Sequence, residues 1–519
     1  MGRIGLGHDK HAWAPQEARS AHRTCKAANP ARVSSVGGGG GGSGLGLDRI
    51  SDLPDDLRRK IVSRLPIKDA VRTSALSTHW RHFWRSVPLV LCDAHIPRTK
   101  HFSPYTAITS VLTQHPGPFR AVHLSRWSMR MYPNLQQVEW ARLLPEKGVE
   151  DLTFVNFPNW QRLAADASLR LPVDILRCTK ISRLRLGFWT FPGTTVADLP
   201  RGPNVFPNLL ELGLHHIAID TECIDYMMEC SPELKVFTIV ANTNGRASIK
   251  IRSQNIVQVV FWASISKDLD VRGAPSLDRL ILWNGSSVGM FCSLINLSLA
   301  STLRVVGYLE PRIHKLKVAD IVIKVLLNSS SCLLQMFAVP LILSLHTKFQ
   351  AGTRPSPLTV IPSVKILALK LRFAVRKEAE MFLSFMRCFP NVETLHIVSD
   401  EADRCKGKQT LQFWRNADPV ECTRSQVKEI VFNNFRGYNS ELSFLQFVLE
   451  SAHVLKKMRI VLAGGEPNHI TELVNKLKPL DSARHAIEDV LLEIVEGDGG
   501  DVWCFRQASD PFVIDPFSY

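Results

Sequence analysis

The sequence predicts an α/β chain: a small helical unit near the front, a stack of short strand-and-turn units, and a strand–helix–strand cap. Three observations predict it. Large apolar residues recur at helical spacing between Leu53 and Trp84. Phrases of the form Leu-x-x-Leu-x-Leu recur from Val149 onward, and apolar spacing switches from strand-like to helical and back between Val427 and Leu462. At 519 residues the chain is too long for one compact core and suits several units or a repeat array.

Residues 1 to 47 read as a disordered tail. Gly37 to Gly42 form an unbroken run, followed by Ser43 and Gly44, and Arg3, Lys10, Arg19, Arg23, Lys26 and Arg32 outnumber Asp9 and Glu17. Such a stretch loses much backbone entropy on ordering and buries little in return.

The helical unit spans 48 to 93. Leu53, Leu57, Ile61 and Leu65 recur every four residues and define one stripe of a helix. Ser51 and Asp52 suit its cap, Pro54 its first turn, and Asp55 and Asp56 its positive end. Pro66 ends it, because the residue before proline is pushed out of the α region. A second helix is expected from Lys68 to about Ala75, with Val71 and Leu76 apolar. Ser77 then caps a third that runs through Trp80, Phe83 and Trp84. Arg58, Arg59, Lys60, Arg64, Arg72, Arg81 and Arg85 are expected on the wet faces. So short a segment cannot bury all its apolar groups, which points to a docking partner.

This segment, DLPDDLRRKIVSRLPIKDAVRTSALSTHWRHFW, resembles the F-box. The resemblance implies a three-helix unit that binds the Skp-type adaptor of a cullin-RING ubiquitin ligase. It puts Leu53, Pro54, Leu57, Ile61, Leu65, Pro66, Val71, Leu76, Trp80 and Trp84 at the adaptor face or in the small core behind it.

Residues 94 to 419 change to strand phrases at irregular spacing: 149 to 157, 181 to 189, 206 to 217, 231 to 240, 274 to 283, 364 to 373 and 389 to 398. In Leu209, Leu212 and Leu214, or Leu277, Leu280 and Leu282, the first leucine enters the strand and the other two share one face. A unit this small cannot bury its own apolar face, so neighbours must stack. The pattern resembles a degenerate leucine-rich repeat, with an asparagine-ladder position that is not consistently filled. Residues 325 to 349 depart from the plan: apolar, without clean period, they read either as an insertion, such as translated intron sequence, or as an additional buried helix. Their run from Cys332 to Leu345 contains Gln335 and Pro340 and is shorter than the roughly 20 residues of a membrane span.

Residues 420 to 495 form the cap. A strand from Val427 to Phe432 leads through a turn at Asn434 to Asn439, containing Gly437, into a helix with Leu442, Leu445, Phe447, Val448 and Leu449 on its apolar face. A second strand follows from Leu455. With Phe435-Arg436-Gly437 in the turn, this part is similar to the FBD domain of plant F-box proteins with leucine-rich repeats. It would cover the last repeat edge, which otherwise exposes unpaired backbone. Residues 496 to 519 read as a C-terminal tail.

The fold class is therefore α/β: a three-helix F-box, a degenerate leucine-rich-repeat solenoid and an FBD cap. Eleven cysteines without C-x-x-C or Cys/His zinc spacing favour reduced thiols, and no signal peptide is visible. A nuclear or cytoplasmic protein is expected. The net charge of +15 is spread without a polybasic run, which favours a solvated basic surface over nucleic-acid binding. No phosphate-binding loop, zinc-protease or nucleophile-elbow motif is present. His215 and His216 are adjacent on a strand phrase, which sends them to opposite faces and argues against a shared metal. The reading is a non-catalytic receptor without cofactor or metal, holding a protein substrate of unknown identity for a cullin complex. An F-box scaffold outside any ligase and a basic nucleic-acid-binding repeat protein are the alternatives.

Overall fold

The computed structural model describes residues 50, 52–96, 104–125, 135–156, 170–191, 199–217, 219–241, 248–262, 264, 266–283, 293–298, 300–319, 321–323, 360–400, 408–464, 471–478 and 490–496. The expected N-terminal tail, the 325–349 insertion and all of the C-terminal tail after Glu496 lie outside them. The chain divides into two compact units, Met1–Asp52 and Leu53–Tyr519, and every element below belongs to the second.

The front opens with α1 (Asp55–Val62) and α2 (Ile67–Arg72), which runs into a 3-10 turn at Thr73–Ala75; a second 3-10 turn at Thr78–Trp80 precedes α3 (Phe83–Ser86). Pro54 and Pro66 are the N-caps of α1 and α2, both extended, and neither helix has a side-chain cap. The capping expected of Ser51 and Asp52 is thus replaced by the Pro54 carbonyl, which accepts from Leu57 and Arg58 N–H at 3.0 and 3.1 Å. The expected continuous second and third helices are instead short α segments joined to 3-10 turns. Helices of 8, 6 and 4 residues lie far below the roughly 12–15 needed to stand alone, so packing must hold them.

That packing begins at β1 (Leu89–Cys92), followed through α4 (Pro104–Gln114) by β2 (Phe119–Leu124) and through α5 (Leu135–Glu146) by β3 (Asp151–Val155). Then come β4 (Arg183–Gly187), β5 (Glu211–His215), α6 (Thr221–Cys230), β6 (Val236–Val240), β7 (Ser248–Arg252), β8 (Gln258–Trp262), β9 (Asp268–Gly273), β10 (Arg279–Trp283), β11 (Ser293–Asn296), β12 (Val305–Leu309), β13 (His314–Val318) and β14 (Ile321–Ile323). The remainder is β15 (Ile366–Leu371), α7 (Arg376–Cys388), β16 (Thr394–Ser399), α8 (Lys408–Asn416), α9 (Glu421–Ser425), β17 (Glu429–Phe435), α10 (Asn439–Ser451), β18 (Lys457–Leu462) and β19 (Leu491–Glu496).

Fourteen of these strands form one sheet in the order β1-β2-β3-β4-β5-β6-β8-β10-β12-β15-β16-β17-β18-β19. Each of the seven strand phrases in the sequence supplies one strand. Their register aligns Leu152, Leu184, Leu212, Phe237, Val259, Leu280, Val306, Leu367, Leu395, Ile430 and Met458 in a single row. All are at most 2% exposed, and each such burial stabilises by about 1.5–3 kcal/mol. Every pairing along this sheet is parallel, so each strand is reached by a crossover. On the core side the crossovers change kind: helices α4 to α6 first, then strands, then α7 to α10. The strand crossovers form a second sheet, β14-β13-β11-β9-β7, antiparallel only at β13–β14. Its Ile249, Leu269, Ile295 and Leu316 join the same apolar core as the long sheet.

The other face of the long sheet changes character along its length. Early on it is ionic: Arg183 and Arg185 meet Asp151 at 2.8 and 3.3 Å, and Arg185 meets Glu211 at 3.0 Å. Burial pushes the Asp151 carboxyl up, but His123, Arg183 and Arg185 outweigh it and hold it below its usual range. Further on the face is aromatic. Trp262 stacks on Trp283 at 4.9 Å, Tyr308 meets Trp283 edge-on at 4.7 Å, and Lys370 Nζ lies 5.1 Å from the Trp283 ring.

In the cap, Asn434 (φ 62°) and Gly437 (φ 73°) are both left-handed. A Cβ on Gly437 would come within 2.7 Å of Leu473, so glycine is required twice over at this turn. The buried Glu441 accepts from the Arg436 and Tyr438 amides at 3.1 and 2.9 Å and from Ser399 Oγ at 2.5 Å. Burial pushes its carboxyl up to about 6. Phe444, fully buried in α10, is a core residue the sequence reading left out.

Four histidines are held neutral by burial: His215 at about 3, and His216, His314 and His396 at about 4, against 6.5 when unfolded. Between pH 4 and 6.5 the unfolded chain therefore binds more protons, and stability falls as the pH drops. His314 Nδ1 accepts from the Glu310 amide at 2.9 Å. His314→Asn retains an acceptor and removes the titration. It should shrink the stability lost between pH 7 and 5 by up to about 2 kcal/mol in urea unfolding; an unchanged pH slope would contradict this.

Candidate adaptor-binding face

Helix α1 has two unlike faces. Its inward row is Arg58, Val62 and Leu65: Val62 is fully buried and Leu65 packs against the core. The Arg58 side chain is 11% exposed, bonded to Asp55 at 2.7 Å, with its guanidinium 5.1 Å from the Phe83 ring. Cation–π attraction and apolar cover of the stem explain how a charged side chain reaches the inner face. Arg58 is therefore not on the wet face where the sequence reading put it. The outward row is Leu57 and Ile61, 47% and 40% exposed. In α2 and the turn after it, Ala70 and Thr73 are buried, while Val71 and Leu76 are 39% and 65% exposed.

The ten residues expected at or behind an adaptor face therefore separate. Pro54, Leu57, Ile61, Val71 and Leu76 are exposed; Leu53, Leu65, Pro66 and Trp84 are half-buried. Trp80 is 2% exposed and meets Phe83 edge-on at 6.2 Å. Trp84 stacks on His115 of the neighbouring layer, with centroids 6.1 Å apart. Other large exposed apolar residues among those described include Val173, Leu210, Val257 and Val454, which stand far apart along the chain, and Leu491 and Ile494 together on the edge strand β19. Four within one short helical stretch is a concentration.

Val62 and Ala70 are core residues that the sequence reading missed. The signal was available for α1: Arg58, Val62 and Leu65 follow helical spacing as well as the leucine stripe does, but an arginine in the row disguises it.

Chemistry elsewhere is muted. Burial pushes the thiols of Cys178, Cys223 and Cys388 up to about 12 and that of Cys422 to about 11, so all four stay protonated at neutral pH. His216 stacks on Phe188 at 4.2 Å while His215 is buried beside it. Among the described residues no group of three or more His, Cys, Asp or Glu side chains is placed to hold a metal. Nor is any helix there long and apolar enough to cross a membrane.

Short helices precede a parallel strand ladder, and the family models give the class: an F-box protein with a leucine-rich-repeat region. The F-box family model matches residues 50–91, and the FBD model matches 415–460. The model described as the LRR repeats of FBD-associated F-box protein At5g56370 matches 137–343 and 339–397. F-box/FBD/LRR-repeat protein At1g13570 of Arabidopsis thaliana is 29% identical over 198 residues, 37% of this chain and 44% of that relative, which is less than half its length. FBD-associated F-box protein At5g60610 of the same plant is 25% identical over 429 residues, 80% of this chain and 100% of the relative. F-box/FBD/LRR-repeat protein At1g51370 is 24% identical over 435 residues, 80% and 89% respectively. The chain belongs to the plant F-box/leucine-rich-repeat/FBD family.

The separation of exposed from buried residues predicts opposite consequences. Trp80→Ala should lower stability by about 3–5 kcal/mol, whereas Leu76→Ser should change it by no more than about 0.5 kcal/mol. Urea unfolding of the two variants checks this, and similar losses from both would contradict it.

Proposed function

We propose that the chain is the substrate-recognition subunit of a Skp–cullin–F-box ubiquitin ligase. In this reading the F-box folds as three short helices and docks a Skp-type adaptor. The strand ladder is a degenerate leucine-rich-repeat solenoid capped by the FBD part, and it holds a protein substrate. The observation that carries the reading is the group Leu57, Ile61, Val71 and Leu76, apolar and exposed within a unit matched by the F-box model. A monomer rarely keeps such a cluster wet unless a partner covers it. Burying a few anchors of this size supplies the surplus that tight association needs.

The work done by the chain is proximity. Holding substrate and adaptor in one assembly raises the local concentration of substrate lysines at the ubiquitin-charged partner. No group of this chain takes part in a bond-making step in that scheme. It is a receptor without cofactor or metal, acting in the nucleus or cytoplasm.

Leu57→Asp combined with Leu76→Asp should weaken adaptor binding by about 100-fold or more, with the melting temperature unchanged because both side chains are exposed. Replacing Leu53 and Pro54 together should likewise abolish adaptor co-purification from plant cells. Retention of a Skp-type adaptor by both variants would reject the assignment.

A further inference from the structure

A cavity of about 770 Å³ opens between the front helices and α4. Its apolar wall includes Ile67, Val71 and Trp84 on one side and Val111 on the other. Its polar lining is one-signed: Lys68, Arg72 and Arg85 contribute charge, and no carboxylate lines it. Arg72 is paired with Asp69 at 3.3 Å, and Arg85 lies 5.5 Å from the Trp84 ring. Among the described residues, Lys68 and Arg85 have no acidic partner.

A buried histidine forms part of the cavity wall. His115 lines it at 3% exposure, its ring between Trp84 and Phe119 at 6.1 and 4.9 Å. The ring nitrogens face the backbone of Val87 and Pro118, which hydrogen-bonds to them.

We infer that this cavity binds a small amphipathic carboxylate. The volume falls within the roughly 300–1,000 Å³ of small-molecule sites. Ile67, Val71, Trp84 and Val111 would take the aliphatic body, and Lys68 and Arg85 the carboxylate. A phosphate would need a denser set of donors than two cations on an otherwise apolar wall. The occupant spans α2 and α3 on one side and α4 on the other, so it stiffens the joint between the docking helices and the repeat region. Val71 lines the cavity and is also one of the four exposed apolar side chains. Resting on the proposed function, binding therefore favours the conformation that presents the adaptor face.

The test uses the full chain and decanoate as the probe, below its micelle concentration, in isothermal titration calorimetry. Decanol and decyltrimethylammonium are the neutral and cationic controls. Decanoate should bind saturably at one site and at least tenfold more tightly than either control. Val111→Trp, which fills the cavity, should abolish binding, and the surface pair Lys68→Gln with Arg85→Gln should weaken it tenfold or more with circular dichroism unchanged. Equal binding of all three probes, no saturable decanoate site, or full affinity in the Lys68/Arg85 variant would overturn the inference. Adaptor affinity is then measured with and without decanoate. Tightening supports the coupling, and no change at a saturated site overturns it. A chain that binds decanoate but no adaptor would sink the ligase reading and leave the site standing.

Discussion

Parallel backbone pairing between successive strands is the constraint on which the rest of the molecule depends. A strand of four to seven residues has no stability of its own, and its apolar positions stay dry only when the next strand stacks beside it. The ladder continues past several strand ends. Phe188, His216 and Ala241, all at positive φ, donate their amides to His215, Val240 and Trp262 carbonyls at 2.9, 2.7 and 2.8 Å. A left-handed non-glycine residue costs about 1–2 kcal/mol. Here the hydrogen bond to the last residue of the neighbouring strand offsets it, and the same geometry is repeated from one unit to the next.

The front helices inherit their order from the same ladder. Pro66 bridges Val90, and the Leu89 amide donates to the Pro118 carbonyl at 3.2 Å, so β1 ties α2 to the sheet. Val62, Ala70, Trp80 and Phe83 join the continuous core that runs on through Leu89 and Phe119. With those positions spent inward, Leu57, Ile61, Val71 and Leu76 have no remaining place inside. The outward apolar face follows from the amount of core available, and in the proposed reading an adaptor completes it.

Much of this was legible in the sequence, and the remainder was hidden for identifiable reasons. All seven Leu-x-x-Leu-x-Leu-like phrases became strands because their two buried positions carry large aliphatic or aromatic groups. The strand, turn and helix of the cap stood out through Gly437 and the spacing of Leu442, Leu445 and Leu449. The second sheet was hidden because SIKIR and HKLKV alternate polar with apolar over only five residues each and carry few leucines. β1 was absorbed into the helical segment because LVLC is short and uniformly apolar. At the candidate face, the stripe Leu57–Ile61 looked like any amphipathic helix. Periodicity finds an apolar face but does not say whether it turns inward; burial of Val62 and the packing of Arg58 on Phe83 set the rotation of α1. The Trp262–Trp283–Tyr308 group is a tertiary assembly from three strands, beyond the reach of local spacing.

Amide hydrogen exchange of the full chain, with and without a plant Skp-type adaptor, tests the account most directly. Added protection is expected only in peptides covering residues 53 to 76, with the long sheet from Leu89 to Glu496 unchanged. Protection appearing on the sheet instead, or none on those helices while the adaptor is bound, would contradict it.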